Sequence, residues 1–272
     1  MNPTRTLCIA LLIGVAACAT SPLGRRQFMF VGDAEMDKMG VEAFEQIKKE
    51  QKVSSDPQAN AYVNCVANAI TAALPPDAKK VVGGGPWEVR VFQDDTANAF
   101  ALPGRKIGVH TGLLEVAKNQ DQLATVLGHE VGHVVGRHSA ERVSDQYAAQ
   151  IAASGVGVVL GALGDPSSPS HGLAMAALGV GAQVGVLKFS RDHETEADRL
   201  GLDYMATAGF DPRESVPLWQ NMDAAAKGSR PPEFLSTHPN PATRIQDLQR
   251  RIPQNLPVAE QAHASGRNPR CR

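Results

Sequence analysis

The stretch His129-Glu130-Val131-Gly132-His133 carries two histidines four residues apart with a glutamate beside the first. On a helix that spacing puts both imidazoles on one face. There they can hold one Zn²⁺ through two nitrogens, while Glu130 activates water at the metal. At about 100° per residue, His133 falls about 40° from His129 and Glu130 about 100° from it. Leu123, Leu127, Val131 and Val134 gather on the opposite side and should face a core. Gly132 and Gly136 lie beside the histidines, where they are expected to leave room for a metal and a substrate. The plainer alternative is an amphipathic helix that happens to carry two histidines. A zinc enzyme needs a third protein ligand, and the rest of the chain must supply it.

Two schemes compete for that ligand. In H-E-x-x-H-x-x-G-x-x-H the third ligand is a histidine. Gly136 fits this pattern, but Ser139 stands at the ligand position. His138 lies about 180° from His129 on the same wheel, so it is expected to point away. The other scheme takes a glutamate from a later helix. Within Ser190-Arg191-Asp192-His193-Glu194-Thr195-Glu196-Ala197-Asp198, Glu194 and Asp198 share a helical face. Glu194 can bind zinc while Asp198 fixes the tautomer of a ligand histidine. Glu196, about 200° round from Glu194, should face elsewhere, and His193 reads as a solvated neighbour. The competing reading is an acidic helix start that suits the dipole.

The elements that must position these groups are mostly helical. Asp33–Lys52 reads as a helix, and Asp56-Pro57 opens another that stops at Pro75-Pro76. Trp87–Gln93, Asn98–Leu102 and Lys106–His110 read as three short strands just before the metal helix, a small sheet beside a cleft. Asn98, Ala99 and Phe100 are the candidate edge that holds a substrate extended through main-chain hydrogen bonds. A core strand is the alternative. Ser139–Gly161 and Gly172–Phe189 are rich in small residues and read as buried helices, with a lid or a membrane-dipping face as the lesser reading. The overall expectation is a mainly α fold with a small β-sheet, in one domain over residues 33–252.

Residues 1–18 read as a signal peptide: Arg5 is basic, and Leu7–Ala17 is apolar but too short to span a membrane. Val15-Ala16-Ala17-Cys18 resembles a bacterial lipobox, which implies a lipid on Cys18, and Thr20 implies sorting to the outer membrane, facing the periplasm. Residues 19–32 read as a linker and residues 253–272 as a loose tail. In an oxidising compartment Cys65 and Cys271 could pair, or remain separate thiols. The formal charge of −1 and the lack of a long basic run give no support to a nucleic-acid partner.

His-Glu-Val-Gly-His followed by S-R-x-x-E-x-E-A-D resembles the HtpX/CAAX-prenyl-protease family of zinc metallopeptidases, and in particular its periplasmic lipoprotein branch of the LoiP and BepA type. The resemblance covers about Asp33 to Ile252, with no tetratricopeptide-like tail and no transmembrane helices expected. It implies a zincin fold of the gluzincin kind, one zinc per chain on His129, His133 and Glu194, Glu130 as base, and Asn98-Ala99-Phe100 as substrate edge. The implied substrates are misfolded or misassembled envelope proteins. Ser236-Thr237-His238-Pro239 with Arg244-Ile245 resembles the family's S-T-H-P-x-x-x-x-R-I segment. Pro239 biases His238 towards an extended backbone, so His238 is expected to enter the cleft. There it would either donate to the developing oxyanion or occupy the fourth zinc position as a latch, with Arg244 bracing the loop or assisting at the oxyanion. A chaperone or adaptor with a structural zinc, and a homo-oligomeric assembly scaffold, are the readings from other classes.

Overall fold

The structure is a computed structural model, in which residues 18–154, 169–178, 180, 189–227, 232–238 and 243–272 are described. The signal segment before Cys18, and 155–168, 179 and 181–188 of the small-residue runs, lie outside the described residues, as do Pro239 to Pro241. Among the described residues no helix is long and apolar enough to cross a membrane.

Helix α1 (Asp33–Glu50) has acids in its first turn and lysines in its last, matching the helix dipole, and buries Met36, Met39, Phe44 and Ile47. Helix α2 (Pro57–Ala72) is capped by Asp56, which accepts from the amides of Gln58 and Ala59. Pro76 does more than stop it: it opens a short α3 (Pro76–Val82), where a missing N–H costs nothing. Strands β3 (Glu88–Phe92), β4 (Ala99–Leu102) and β5 (Lys106–His110) form a sheet in the order β3-β5-β4. β5 is parallel to β3 and antiparallel to β4, which leaves β4 at the edge. After α4 (Thr111–Val116) comes α5 (Gln120–Val135), capped by Asn119 and buried along nearly its whole length. The remaining elements are α6 (His138–Ser154), α7 (Pro169–Ala177), α8 (Arg191–Ala208), a 3₁₀ turn (Pro212–Glu214), α9 (Ser215–Ala226), the single turn α10 (Phe234–Thr237) and α11 (Arg244–Ala264).

The main core joins α2, the sheet, α5, α8 and α9 through residues such as Val66, Ile107, Leu127, Met205 and Trp219. A second, smaller core lies between α1, α6 and α7. Leu123, Leu127 and Val131 enter the main core as the wheel requires. The glycines of α5 have a different use from the one expected. A Cβ on Gly132 would come 2.8 Å from the carbonyl oxygen of Ala197, and one on Gly128 2.7 Å from that of Gly201. Bare glycine faces therefore let α8 lie directly on α5, which brings Glu194 and Asp198 to the histidines.

Residues 19–32 and 253–272 are more ordered than composition suggests. Within residues 19–32, expected as a linker, β1 (Cys18–Thr20) and β2 (Arg26–Phe28) pair in an antiparallel hairpin. Gln27 pins it, donating from Nε2 to the carbonyl oxygen of Gly136 at 2.7 Å. The expected loose tail from residue 253 is largely helix, since α11 continues through Pro253 and Pro257 to Ala264. A proline inside a helix costs about 3 kcal/mol. Tertiary packing offsets this: Leu248, Asn255, Ala259 and Ala262 form a buried stripe, and Asn255 Nδ2 donates to Asp203 Oδ1 at 2.6 Å.

Beyond α11 the chain reaches back to α2, where Cys271 is disulfide-bonded to Cys65 across 206 residues of sequence. A cross-link over so long a loop removes much unfolded-state entropy. Reduction, or the Cys65→Ser, Cys271→Ser double variant, should cost about 2–5 kcal/mol of stability, read from the denaturant midpoint. An unchanged midpoint would show that the bond carries no such share.

Candidate metal centre

α5 presents His129 and His133 side by side, each 2% exposed, because their helical face is covered by α8. Ser190 caps α8 by accepting from the amide of His193, which sets Glu194 in the first turn, over the histidines. His129 Nε2 and His133 Nε2 lie 3.0 Å apart. Glu194 reaches both, with Oε2 3.5 Å from His129 Nε2 and Oε1 3.4 Å from His133 Nε2. His238, at the end of α10, completes the group: its Nδ1 is 2.9 Å from Glu194 Oε1 and 3.2 Å from His129 Nε2. One atom from each of these four buried residues lies within 4.8 Å of all the others.

This cluster fits a zinc ion. Two imidazole nitrogens and a carboxylate oxygen converge on one point, the donor set zinc takes. Glu194 Oε2 and Glu130 Oε1 are buried there with charged side chains nearby but no well-aligned hydrogen bond among the described residues. Electrostatics agree. Burial pushes the pKa of His129 and, further, of His133 below the ordinary range, so both stay neutral with a lone pair to give. Burial alone would raise Glu194, but His238 and the other two histidines hold its carboxylate far below the usual range.

Each ligand is oriented from behind. Asp198, one turn along α8, accepts at Oδ1 from His129 Nδ1 at 2.9 Å. Arg244, buried in the first turn of α11, places Nη2 2.5 Å from that same Oδ1 and Nη1 3.1 Å from Glu194 Oε2. Its guanidinium lies 3.6 Å above the Trp219 ring. Arg244 thus grips the two carboxylates behind the metal point and does not line the cleft.

Glu130 sits on the open side. Its Oε2 accepts from the amide of Ala101 on the edge strand at 3.3 Å, and its Oε1 is 3.5 Å from His238 Nε2. Burial raises its carboxyl to about 7. For His238 burial works downward, but Glu130 and Glu194 outweigh it and the net shift is upward. The cleft runs past Glu130 and His238 along Asn98, Ala99, Phe100 and Ala101, and is covered by Ala176, Ala177 and Leu178 at the end of α7. The Phe100 ring is anchored against Phe92 and Phe44. Ser236 and Thr237, read as part of a shaped loop, belong to α10, and His238 closes that turn with its ring stacked on Phe234 at 4.4 Å.

His138 and His193 depart from the expectation, and Glu196 meets one of them. His138 does not point away. Helix α5 ends at Gly136, Arg137 has a left-handed φ of 56°, and the chain turns back. His138 Nδ1 then lies 2.8 Å from His133 Nδ1. Gly136 makes room for that ring: a Cβ there would meet His138 Nε2 at 2.5 Å. Glu196 faces away from the metal point as expected, and is buried 3.2 Å from His138 Nε2. His193, expected in solvent, is buried and bonded to Glu141 at 3.0 Å. The glycine at the end of the helix is the sequence signal that the wheel stops short of His138.

The profile of Peptidase family M48 matches residues 57–252. The chain is 33% identical over 248 residues to the beta-barrel assembly-enhancing protease of Yersinia pestis, covering 90% of this chain and 47% of that protein. It is 31% identical over 271 residues to the Escherichia coli (strain K12) protein of the same name, covering 96% and 54%. It is also 35% identical over 234 residues to the mitochondrial metalloendopeptidase OMA1 of Schizosaccharomyces pombe, covering 85% and 65%. The chain spans about half the length of the two bacterial relatives.

Proposed function

The chain belongs to peptidase family M48 and carries a metallopeptidase domain, and on that premise we propose that it is a zinc-dependent endopeptidase acting on misfolded or misassembled envelope proteins. The observation that carries this is the buried four-residue cluster with Glu130 between it and the edge strand. His129, His133 and Glu194 would hold one zinc, which when bound polarises the scissile carbonyl. β4, through Asn98, Ala99 and Phe100, holds the peptide extended beside the site. Glu130 takes a proton from the attacking water as its oxygen bonds to the carbonyl carbon. The C–N bond then breaks and Glu130 passes that proton to the leaving amine. A carboxyl lifted to about 7 by burial is basic enough for the first transfer and acidic enough for the second. Asp198 and Arg244 keep His129 and Glu194 in place.

His238 is read as a latch, because its Nδ1 lies among the ligand atoms. His238→Ala should retain zinc and cut an unfolded peptide faster, by about tenfold if the open form is populated at about 10%. Slower turnover with zinc retained would give His238 the oxyanion role instead.

The lipid anchor on Cys18 rests on the character of residues 1–18 alone, and the outer-membrane location rests on those residues together with the beta-barrel assembly named in the bacterial relatives. One relative is named mitochondrial, so the relatives do not share a compartment. The substrate reading is tested by comparing the envelope proteins retained by wild type and by Glu130→Gln. Uncut proteins enriched on the variant support it, and identical sets on both point to a binding protein.

A further inference from the structure

We infer that His138 is a positioning residue for the metal ligand His133, and that the N-terminal hairpin completes this support through Arg25. The inference rests on the reading of His129, His133 and Glu194 as metal ligands. A histidine that gives its Nε2 lone pair to a metal keeps its proton on Nδ1 and must donate it. His129 donates to the Asp198 carboxylate, which Arg244 holds. Among the described residues no carboxylate meets His133 Nδ1; its partner there is His138 Nδ1, at 2.8 Å. With His133 as donor, His138 accepts on Nδ1 and carries its own proton on Nε2. That nitrogen is 3.2 Å from Glu196 Oε2, a carboxylate oxygen that can accept its proton.

The line then leaves α8 for the N-terminus. Arg25, in the turn between β1 and β2, donates from Nε to the same Glu196 oxygen at 2.9 Å. Its two Nη atoms each donate to a Glu141 oxygen at 2.7 Å. Glu141 also accepts from Gln27 Nε2 at 3.0 Å, so both strand β2 and its turn converge on α6. From His133 to Arg25 every donor meets an acceptor, and zinc on His133 Nε2 fixes the direction of each bond. The line is shielded from water: His138 is 0% exposed and Glu196 5%. Shielding strengthens such a chain and makes a missing member costly. The two ligand histidines thus have matching supports, Asp198 with Arg244 for one and His138, Glu196 and Arg25 for the other. The second reaches the β1–β2 hairpin, which is tied to α6 through Gln27 and Glu141.

His138→Phe tests this, since it keeps a flat ring beside His193 and removes the acceptor for His133. Zinc affinity, measured by competition with a chelator, should weaken about 10–100-fold. Arg25→Gln should also weaken it, and the double variant should lose no more than His138→Phe alone, because one chain is broken once. Zinc affinity within about twofold of wild type in a folded variant, or losses that simply add, would overturn the inference. If His138→Phe fails to fold, Arg25→Gln alone decides: weaker zinc supports the chain and unchanged zinc refutes it. A wild type that binds no zinc would instead refute the metal site itself.

Discussion

Glu130→Gln should leave zinc bound and lower peptide hydrolysis by roughly 10²–10⁴-fold or more, the share of a general base. Glutamine has the shape of glutamate, and its carbonyl oxygen can still accept from the Ala101 amide that Glu130 Oε2 now meets at 3.3 Å. The edge strand therefore keeps its place, and His129, His133 and Glu194 are untouched. What disappears is the capacity to take a proton. The measurement is kcat on an unfolded peptide alongside metal content per chain. Near-normal turnover with zinc retained would remove Glu130 from the mechanism.

The second large effect is loss of the metal. His129→Ala removes one ligand nitrogen and leaves the Asp198–Arg244 pair without its imidazole. The variant should lose zinc and all measurable hydrolysis. Chelation of the wild type should do the same reversibly. It should also lower stability, because an ion that binds only the folded chain contributes about 4 kcal/mol at a free concentration a thousand times its Kd. Thermal melts with and without chelator read this. A wild type that melts identically and cuts equally well after chelation would contradict it.

Much of this arrangement was legible in the sequence because helices impose fixed angles. His129, His133, Glu194 and Asp198 each sit on a helix whose periodicity sets the side-chain direction, and the structure brings all four together. The three strands and the cap at Asp56 follow from equally local rules. The failures mark where local rules stop. His138 was misdirected because the wheel was carried past Gly136, where the helix ends. His193 reads as a solvated group because its cover comes from Glu141, distant in sequence. The prolines of α11 suggested a loose tail, but the stripe from Leu248 to Ala262 has a partner surface that no local pattern displays. Gly132 and Gly136 read as space for ligands, whereas Gly132 accommodates the backbone of α8 and Gly136 the ring of His138. In each case the residue type was informative and the neighbour was missing.

The central claim is that His129, His133 and Glu194 together hold one zinc. It is tested most directly by counting zinc per chain in wild type and in the His129→Ala, Glu194→Ala double variant, both purified without added chelator. The account predicts about one zinc per wild-type chain, as for a catalytic site with three protein ligands and an open fourth position, and none in the double variant. Stoichiometric zinc retained by a folded double variant would contradict it.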